Sequence, residues 1–254
     1  MLTLQALSLQ RGAAPLVQGL SAELGAGICG VLGRNGAGKS TLLAALAGLL
    51  RPSTGRIVYG AMDIATLTPR ERAAALAYLP QREPDEFWGD VLAYTTLGRI
   101  GRSRGRFGPL EEDFAAAKAA LKRFGLGDFL HRRLAELSGG ERQLVRLAQV
   151  AAQDAAVWLL DEPLAHLDLY QQQRVLQLLG DAARNAGKLV IVTLHEPLWA
   201  ASRCDHLLLL YDAARFQIGP RPTLLTKENL EDLYRCSLDP LARIAPELFA
   251  PGVA

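Results

Sequence analysis

The stretch GRNGAGKST, residues 33–41, fits the spacing G-x-x-x-x-G-K-[ST] from Gly33 to Ser40. Gly33, Gly36 and Gly38 let the backbone curl around Arg34, Asn35 and Ala37. Successive N–H groups then point inward and cradle phosphate oxygens. Lys39, Ser40 and Thr41 open an apolar helix, and the positive end of a helix attracts an anion further. In such a loop Lys39 reaches the β- and γ-phosphates of a nucleotide and the Ser40 hydroxyl ligates Mg²⁺. A buried strand before the loop and an apolar helix after it supply the context the motif needs, and an ordinary glycine turn explains that context poorly.

Two further apolar runs end in groups that suit the same chemistry. AVWLL stops at Asp161 and Glu162, and Pro163 forbids further sheet pairing. One carboxylate there can hold a Mg²⁺ water, and its neighbour can orient or deprotonate an attacking water. KLVIVTL runs out at His195, followed by Glu196 and Pro197. A histidine at a strand end is most often a loop residue. Ligands of open α/β sheets gather at the carboxyl ends of strands, however, and the coincidence of three such ends makes His195 a candidate γ-phosphate contact. His131, His166 and His206 have no metal-ligand spacing and read as surface or packing residues.

A second anion cradle lies about a hundred residues beyond the first. In LSGGERQ, Ser138 caps a helix with Glu141 at its third position, and Gly139 and Gly140 leave N–H groups open. Its bland reading is simply a well-capped helix.

These residues must be positioned by one fold. The 254 residues suffice for a large α/β domain or two small ones. Half of them are hydrophobic and the formal charge is +2, too near neutral to imply nucleic-acid binding. Cys29, Cys204 and Cys236 form no CxxC pair and read as reduced thiols. No stretch reads as a signal peptide or approaches the length of a membrane span, so any membrane role is expected to come through a partner.

Along the chain, LTLQALSLQ alternates with a phase slip at Ala6–Leu7 that predicts a bulge. GRIVYG reads as a strand, and Thr68-Pro69-Arg70-Glu71 as a capping box ahead of a short helix. LAYLPQ gives another strand. From about 84 to 155 strand signals nearly vanish, and PLEEDFAAAKAALKRFG and ERQLVRLAQVAAQ read as helices. This block is expected to be an inserted all-helical subdomain. AVWLL and KLVIVTL, joined by the helix QQQRVLQLLGDAARNAG, lack alternation and suit parallel strands buried on both faces. The expected fold is an α/β nucleotide-binding core with a mainly parallel sheet, an N-terminal antiparallel β part and the helical insertion. RIGRSRGRFG, residues 99–108, reads as a solvated basic loop, or else as a contact for a partner subunit or lipid headgroups.

With GRNGAGKST, LSGGERQ and WLLDEP together, the chain resembles the ATP-binding cassette family over most of its length. The resemblance implies a single ATPase domain over 1–254, with a core of 1–83 and 156–254 and a helical subdomain of 84–155. It implies ATP and Mg²⁺ as bound groups, Glu162 as general base, His195 as switch histidine and Asp168 in LAHLD as the D-loop aspartate. Gln81 falls at the Q-loop position, a ligand of Mg²⁺ and water that senses the helical subdomain. It also implies a head-to-tail homodimer, in which Ser138, Gly139, Gly140 and Glu141 close over the nucleotide on the partner's glycine loop. YLPQ followed by LGRIG, HEPLWAASRCDHLLLL and LLTKENLEDLYR are most similar to importer ATPases for iron-siderophores, haem and vitamin B12. Two membrane-spanning permease subunits, a substrate-binding protein and a place at the cytoplasmic face of the membrane are then expected, with no nucleic acid. Other transporter classes, a soluble repair or translation cassette, and a regulatory module remain as alternatives. The family stacks adenine on an aromatic residue near the position of Arg11. None lies there, which leaves Arg11 or Gln10 as the substitute.

Overall fold

The computed structural model describes residues 1–81, 87–103, 105 and 108–238. Pro84, where the helical block is expected to begin, lies outside the described residues, as do Arg104, Arg106 and Phe107 of the basic run.

The chain opens with a hairpin of β1 (Leu2–Arg11) and β2 (Ala14–Leu24), then β3 (Gly27–Gly33), which runs through the glycine loop into α1 (Lys39–Leu46). β4 (Thr54–Tyr59), β5 (Met62–Asp63), α2 (Pro69–Ala75) and β6 (Leu76–Leu79) follow. Between β6 and the next strand the described residues hold three α-helices: α3 (Val91–Leu97), α4 (Glu111–Arg123) and α5 (Gly139–Gln153). β7 (Val157–Leu160), α6 (Leu169–Asn185), β8 (Leu189–Thr193), α7 (Pro197–Arg203), β9 (His206–Leu210), β10 (Phe216–Pro220), α8 (Arg221–Leu224) and α9 (Lys227–Tyr234) complete it.

Two sheets result. One is antiparallel, in the order β2-β1-β4-β5, and the other runs β10-β9-β3-β8-β7-β6, parallel except for β10 at its edge. The phase slip in β1 is a bulge: pairing to β2 shifts between Leu4 and Leu7, with Ala6 at φ 46°. The shift keeps Leu2, Leu4, Leu7 and Leu9 all on the buried face. In the parallel sheet both faces are covered, as the unbroken apolar runs predict. Along β7, Val157 and Leu159 join a core with α1 and the antiparallel sheet, while Trp158 and Leu160 join one with α5 and α6. The order β3-β8-β7 sets three strand ends side by side, and those are the ends bearing the glycine loop, His195 and Asp161–Glu162.

An ion pair pins α4 to the residues after α3. Asp113 is fully buried and accepts from Arg99 Nε at 3.2 Å and Leu110 N at 2.9 Å. Arg99 also donates to the Ala152 carbonyl at the end of α5, at 2.9 Å. Burial would raise the Asp113 pKa, but hydrogen bonds from Leu110, Ser103 and Arg99 outweigh it and hold the carboxyl below its ordinary value. The sign follows: the unfolded chain takes up this proton first, so the contribution is full above about pH 4 and fades as pH falls through the lower folded value. Arg99→Ala strands a buried carboxylate and should cost about 3 kcal/mol, read as a lower urea midpoint at neutral pH.

Candidate active site

The glycine loop is shaped by what surrounds it. A Cβ on Gly33 would stand 2.6 Å from the Leu210 carbonyl of β9, so the strand can leave the sheet here only as glycine. Gly38 caps α1 at φ 97°, a conformation costly for other residues, and a Cβ there would meet Leu16 of β2 at 3.1 Å. No side chain caps α1. Its positive end is therefore left for an outside anion. Lys39 is buried beneath the loop, with Nζ donating to the carbonyls of Gly33 at 2.7 Å and Arg34 at 3.2 Å. Burial lowers its pKa, and the carboxylates of Glu162 and then Asp161 oppose that shift.

At the end of β7 the two acids are held differently. Asp161 is 1% exposed, and its Oδ1 accepts from the Thr193 hydroxyl at 2.9 Å. The same hydroxyl oxygen accepts from Glu162 N at 2.7 Å, so the last residue of β8 orders both carboxylate-bearing positions. Asp161 Oδ2 is buried and has no hydrogen-bond partner among the described residues. A buried unpaired carboxylate oxygen is expensive. It fits a hard, hydrated cation such as Mg²⁺, which is held by few protein oxygens and keeps most of its waters. Ser40, at the start of α1, fits as a second oxygen.

Glu162 has φ 50°, a strained backbone for a residue with a side chain. The turn points it away from the strand, and Glu162 Oε1 lies 2.8 Å from His195 Nε2. Their side chains are 20% and 45% exposed respectively, so both remain reachable. Tyr234 of α9 donates to the His195 carbonyl at 3.4 Å. A carboxylate within reach of solvent can take a proton from water, and an adjacent imidazole can donate to a phosphate oxygen.

The other candidates are placed around this group. Gln81 is exposed just past β6. Ser138 caps α5, accepting from Glu141 N at 3.2 Å and donating its own N–H to Glu141 Oε2 at 2.8 Å. Hydrogen bonds to the Glu141 carboxyl from the Ser138 backbone N–H, and then from the Ser138 side chain, hold it below its ordinary pKa. Gly139 is exposed, and Gly140 packs so that a Cβ would lie 3.0 Å from the His166 carbonyl. His166 thus backs the glycine pair. Asp168 caps α6, accepting from Gln171 N at 2.8 Å. Among the described residues no hydrogen bond or ion pair joins 138–141 to 33–41. Arg11 is exposed at the hairpin tip, paired to Ala14. Tyr59, the first aromatic residue of the chain, pairs with Leu2 at the opposite end of β1. From this hairpin the aliphatic Leu16 packs against Gly38 of the glycine loop.

Sequence patterns passed over Thr193, Leu16, Gln143 and Tyr234. A threonine at the end of VIVT next to an acidic strand end is a faint signal for the first. Gln143 closes LSGGERQ, but the motif assigns it no role, and nothing in the sequence alone marks Leu16 or Tyr234.

Comparison with known proteins agrees with this geometry. The sequence profile described as ABC transporter matches residues 17–165, more than half of the chain. The hemin import ATP-binding protein HmuV of Bordetella pertussis is 39% identical over 256 residues, covering 95% of each chain. A solved transporter of the metal-chelate type, in an inward-facing conformation, superposes with a TM-score of 0.80 at 33% identity, covering 92% of this chain and 88% of that one. The cassette MJ0796, solved as a dimer bound to ADP and Pi, shares the fold with a TM-score of 0.75 at 23% identity, over 85% of this chain and 98% of that one. Loop, paired acids, histidine and sequence relationship converge, and the chain belongs to the ABC transporter family as one of its ATPases.

Proposed function

We propose that this chain is the ATP-hydrolysing subunit of an importer for a metal chelate of the haem, iron-siderophore or cobalamin class. The observation that carries the catalytic part is the Thr193 hydroxyl bonded to Asp161 and to Glu162 N, with His195 Nε2 2.8 Å from the Glu162 carboxylate, at strand ends adjoining the glycine loop. Backbone amides of 33–41 and Lys39 hold the phosphates. Glu162 takes the proton of the attacking water, His195 donates to the γ-phosphate, and Gln81 lines the water's path. Ser40, Asp161 and Gln81 would hold Mg²⁺, which would supply charge neutralisation on the phosphates. Most of the rate enhancement comes from positioning and fixed dipoles.

The residues 138–141 and Asp168 act on the nucleotide of a second copy, in a head-to-tail pair. The separation of the two anion cradles supports this, as does the dimeric cassette that shares the fold. Core segments 1–83 and 156–254 bind nucleotide, and 84–155 is the helical subdomain. Arg11 flanks the base. Among the described residues no helix is long and apolar enough to cross a membrane, so two permease subunits provide the channel, with a substrate-binding protein beyond them. Trp88 and Ile100, 96% and 59% exposed in the helical block that follows Gln81, suit a permease contact at the cytoplasmic face of the membrane. The import assignment and its haem emphasis rest on the named relative.

The test is reconstitution with a permease and a binding protein of a metal-chelate importer. Mg²⁺-dependent ATP hydrolysis stimulated by the loaded binding protein, with chelate entering the compartment on the far side, is expected. Hydrolysis without entry of any haem, siderophore or cobalamin would overturn the cargo class.

A further inference from the structure

We propose that Gln143 and Arg146 are positioning residues that tie the orientation of α5 to the placement of Glu162 and Gln81 within one chain. The buried Gln143 amide donates to the carbonyl of Pro163 at 3.0 Å and to that of Glu162 at 3.4 Å. Its oxygen accepts from Arg146 Nη1 at 2.9 Å, while Arg146 Nη2 donates to the carbonyl of Pro80. Pro80 and Pro163 lie just beyond β6 and β7, which are paired neighbours in parallel register, Leu79 opposite Leu160. Side chains of one helix thus hold the carbonyls of both segments that carry the hydrolytic residues.

The arrangement is stiff for chemical reasons. Prolines cannot donate to the ladder, so the strands end there and their carbonyls are open to another donor. A guanidinium presents its donors in a fixed planar fork, and Gln143 is engaged on both sides of its amide. A rotation of α5 must carry both segments with it or break buried hydrogen bonds, which costs more than exposed ones. Gly139, Gln143 and Arg146 recur at i, i+4 and i+7, on one face of α5, so the glycine end and this clamp move as one body. Given the head-to-tail pairing proposed above, on which this step rests, α5 of one chain binds the partner's nucleotide while Glu162 acts on its own. The clamp then links the two composite sites: occupancy of one is felt as the position of the carboxylate in the other.

The experiment uses the full chain carrying Gln143→Leu, Arg146→Met or Arg146→Lys. It measures steady-state hydrolysis against ATP concentration, affinity for a fluorescent ATP analogue, and the thermal midpoint. Turnover should fall by roughly 10- to 100-fold, the scale of an ångström-sized misplacement of a reacting group. Analogue affinity should hold, because the loop 33–41 is untouched, and cooperativity in ATP should be lost. Arg146→Lys should follow Arg146→Met, since one ammonium cannot reproduce the fork. Turnover near the parent's overturns the proposal, as does a fall matched by equal losses of affinity and thermal midpoint. Retained cooperativity overturns the link between sites. Pairing is read separately, by ATP-induced dimerisation of Glu162→Gln, so a chain that never pairs is distinguished from a clamp that does not act.

Discussion

Glu162→Gln should bind ATP like the parent chain and turn it over roughly 10²–10³-fold more slowly or worse, the scale for removing one key catalytic group. Glutamine fills the same volume and can still meet His195, whose Nε2 lies 2.8 Å from the carboxylate. The strained backbone at φ 50° and the hydrogen bond from residue 162 N to Thr193 belong to the main chain and survive the change. What is lost is an oxygen able to take a proton from water. The nucleotide should therefore remain intact between two chains, and size-exclusion chromatography with saturating ATP and Mg²⁺ should show a stable dimer. Near-normal hydrolysis would remove Glu162 from the base role. A monomer under those conditions, even with membrane partners present, would count against the head-to-tail site.

How much of this was legible in the sequence depended on the range of the interaction. The glycine loop, the capping boxes at Thr68 and Ser138 and the bulge near Ala6 are local, set within a few residues by φ preference, side-chain caps and alternation. They could be read directly. Strand order is not local. That β8 lies between β3 and β7 depends on pairings such as Ile28 with Val190 and Trp158 with Val190, and only that order brings three polar ends together. The sequence gives the three ends; the sheet makes them neighbours. Thr193 was hidden because a threonine inside an apolar strand reads as a β-former, and its second role exists only once Asp161 is opposite. Gln143 and Arg146 look like the polar side of an amphipathic helix until Pro80 and Pro163 are seen facing them. His166, read as a surface or packing residue, packs: its carbonyl sets the seat of Gly140. Charge and spacing report chemistry that a side chain performs, and are silent about a carbonyl.

Lys39→Ala should weaken ATP binding by roughly 10- to 100-fold, the equivalent of losing one or more hydrogen bonds to a charged group. The loss has two sources in this structure. The first is the charge itself: Lys39 opens α1 at the floor of the glycine loop, where a triphosphate meets both the ammonium and the helix end. The second is the brace that Nζ makes to the carbonyls of Gly33 and Arg34, which holds the loop in shape before any ligand arrives. Alanine leaves both carbonyls without that donor and removes the ammonium charge felt by the carboxylates of Glu162 and Asp161. Repulsion between them and an incoming polyphosphate then rises, in a partly desolvated site where screening is weak. The effect should thus grow with the number of phosphates, larger for ATP than for ADP and least for AMP. Titration with the three fluorescent nucleotide analogues checks it, with Lys39→Met as a control that keeps the apolar stem. Equal affinity of Lys39→Ala and the parent for ATP would mean that the loop binds phosphate through its amides alone. An equal loss for all three nucleotides would assign the defect to the collapsed brace rather than to the missing charge.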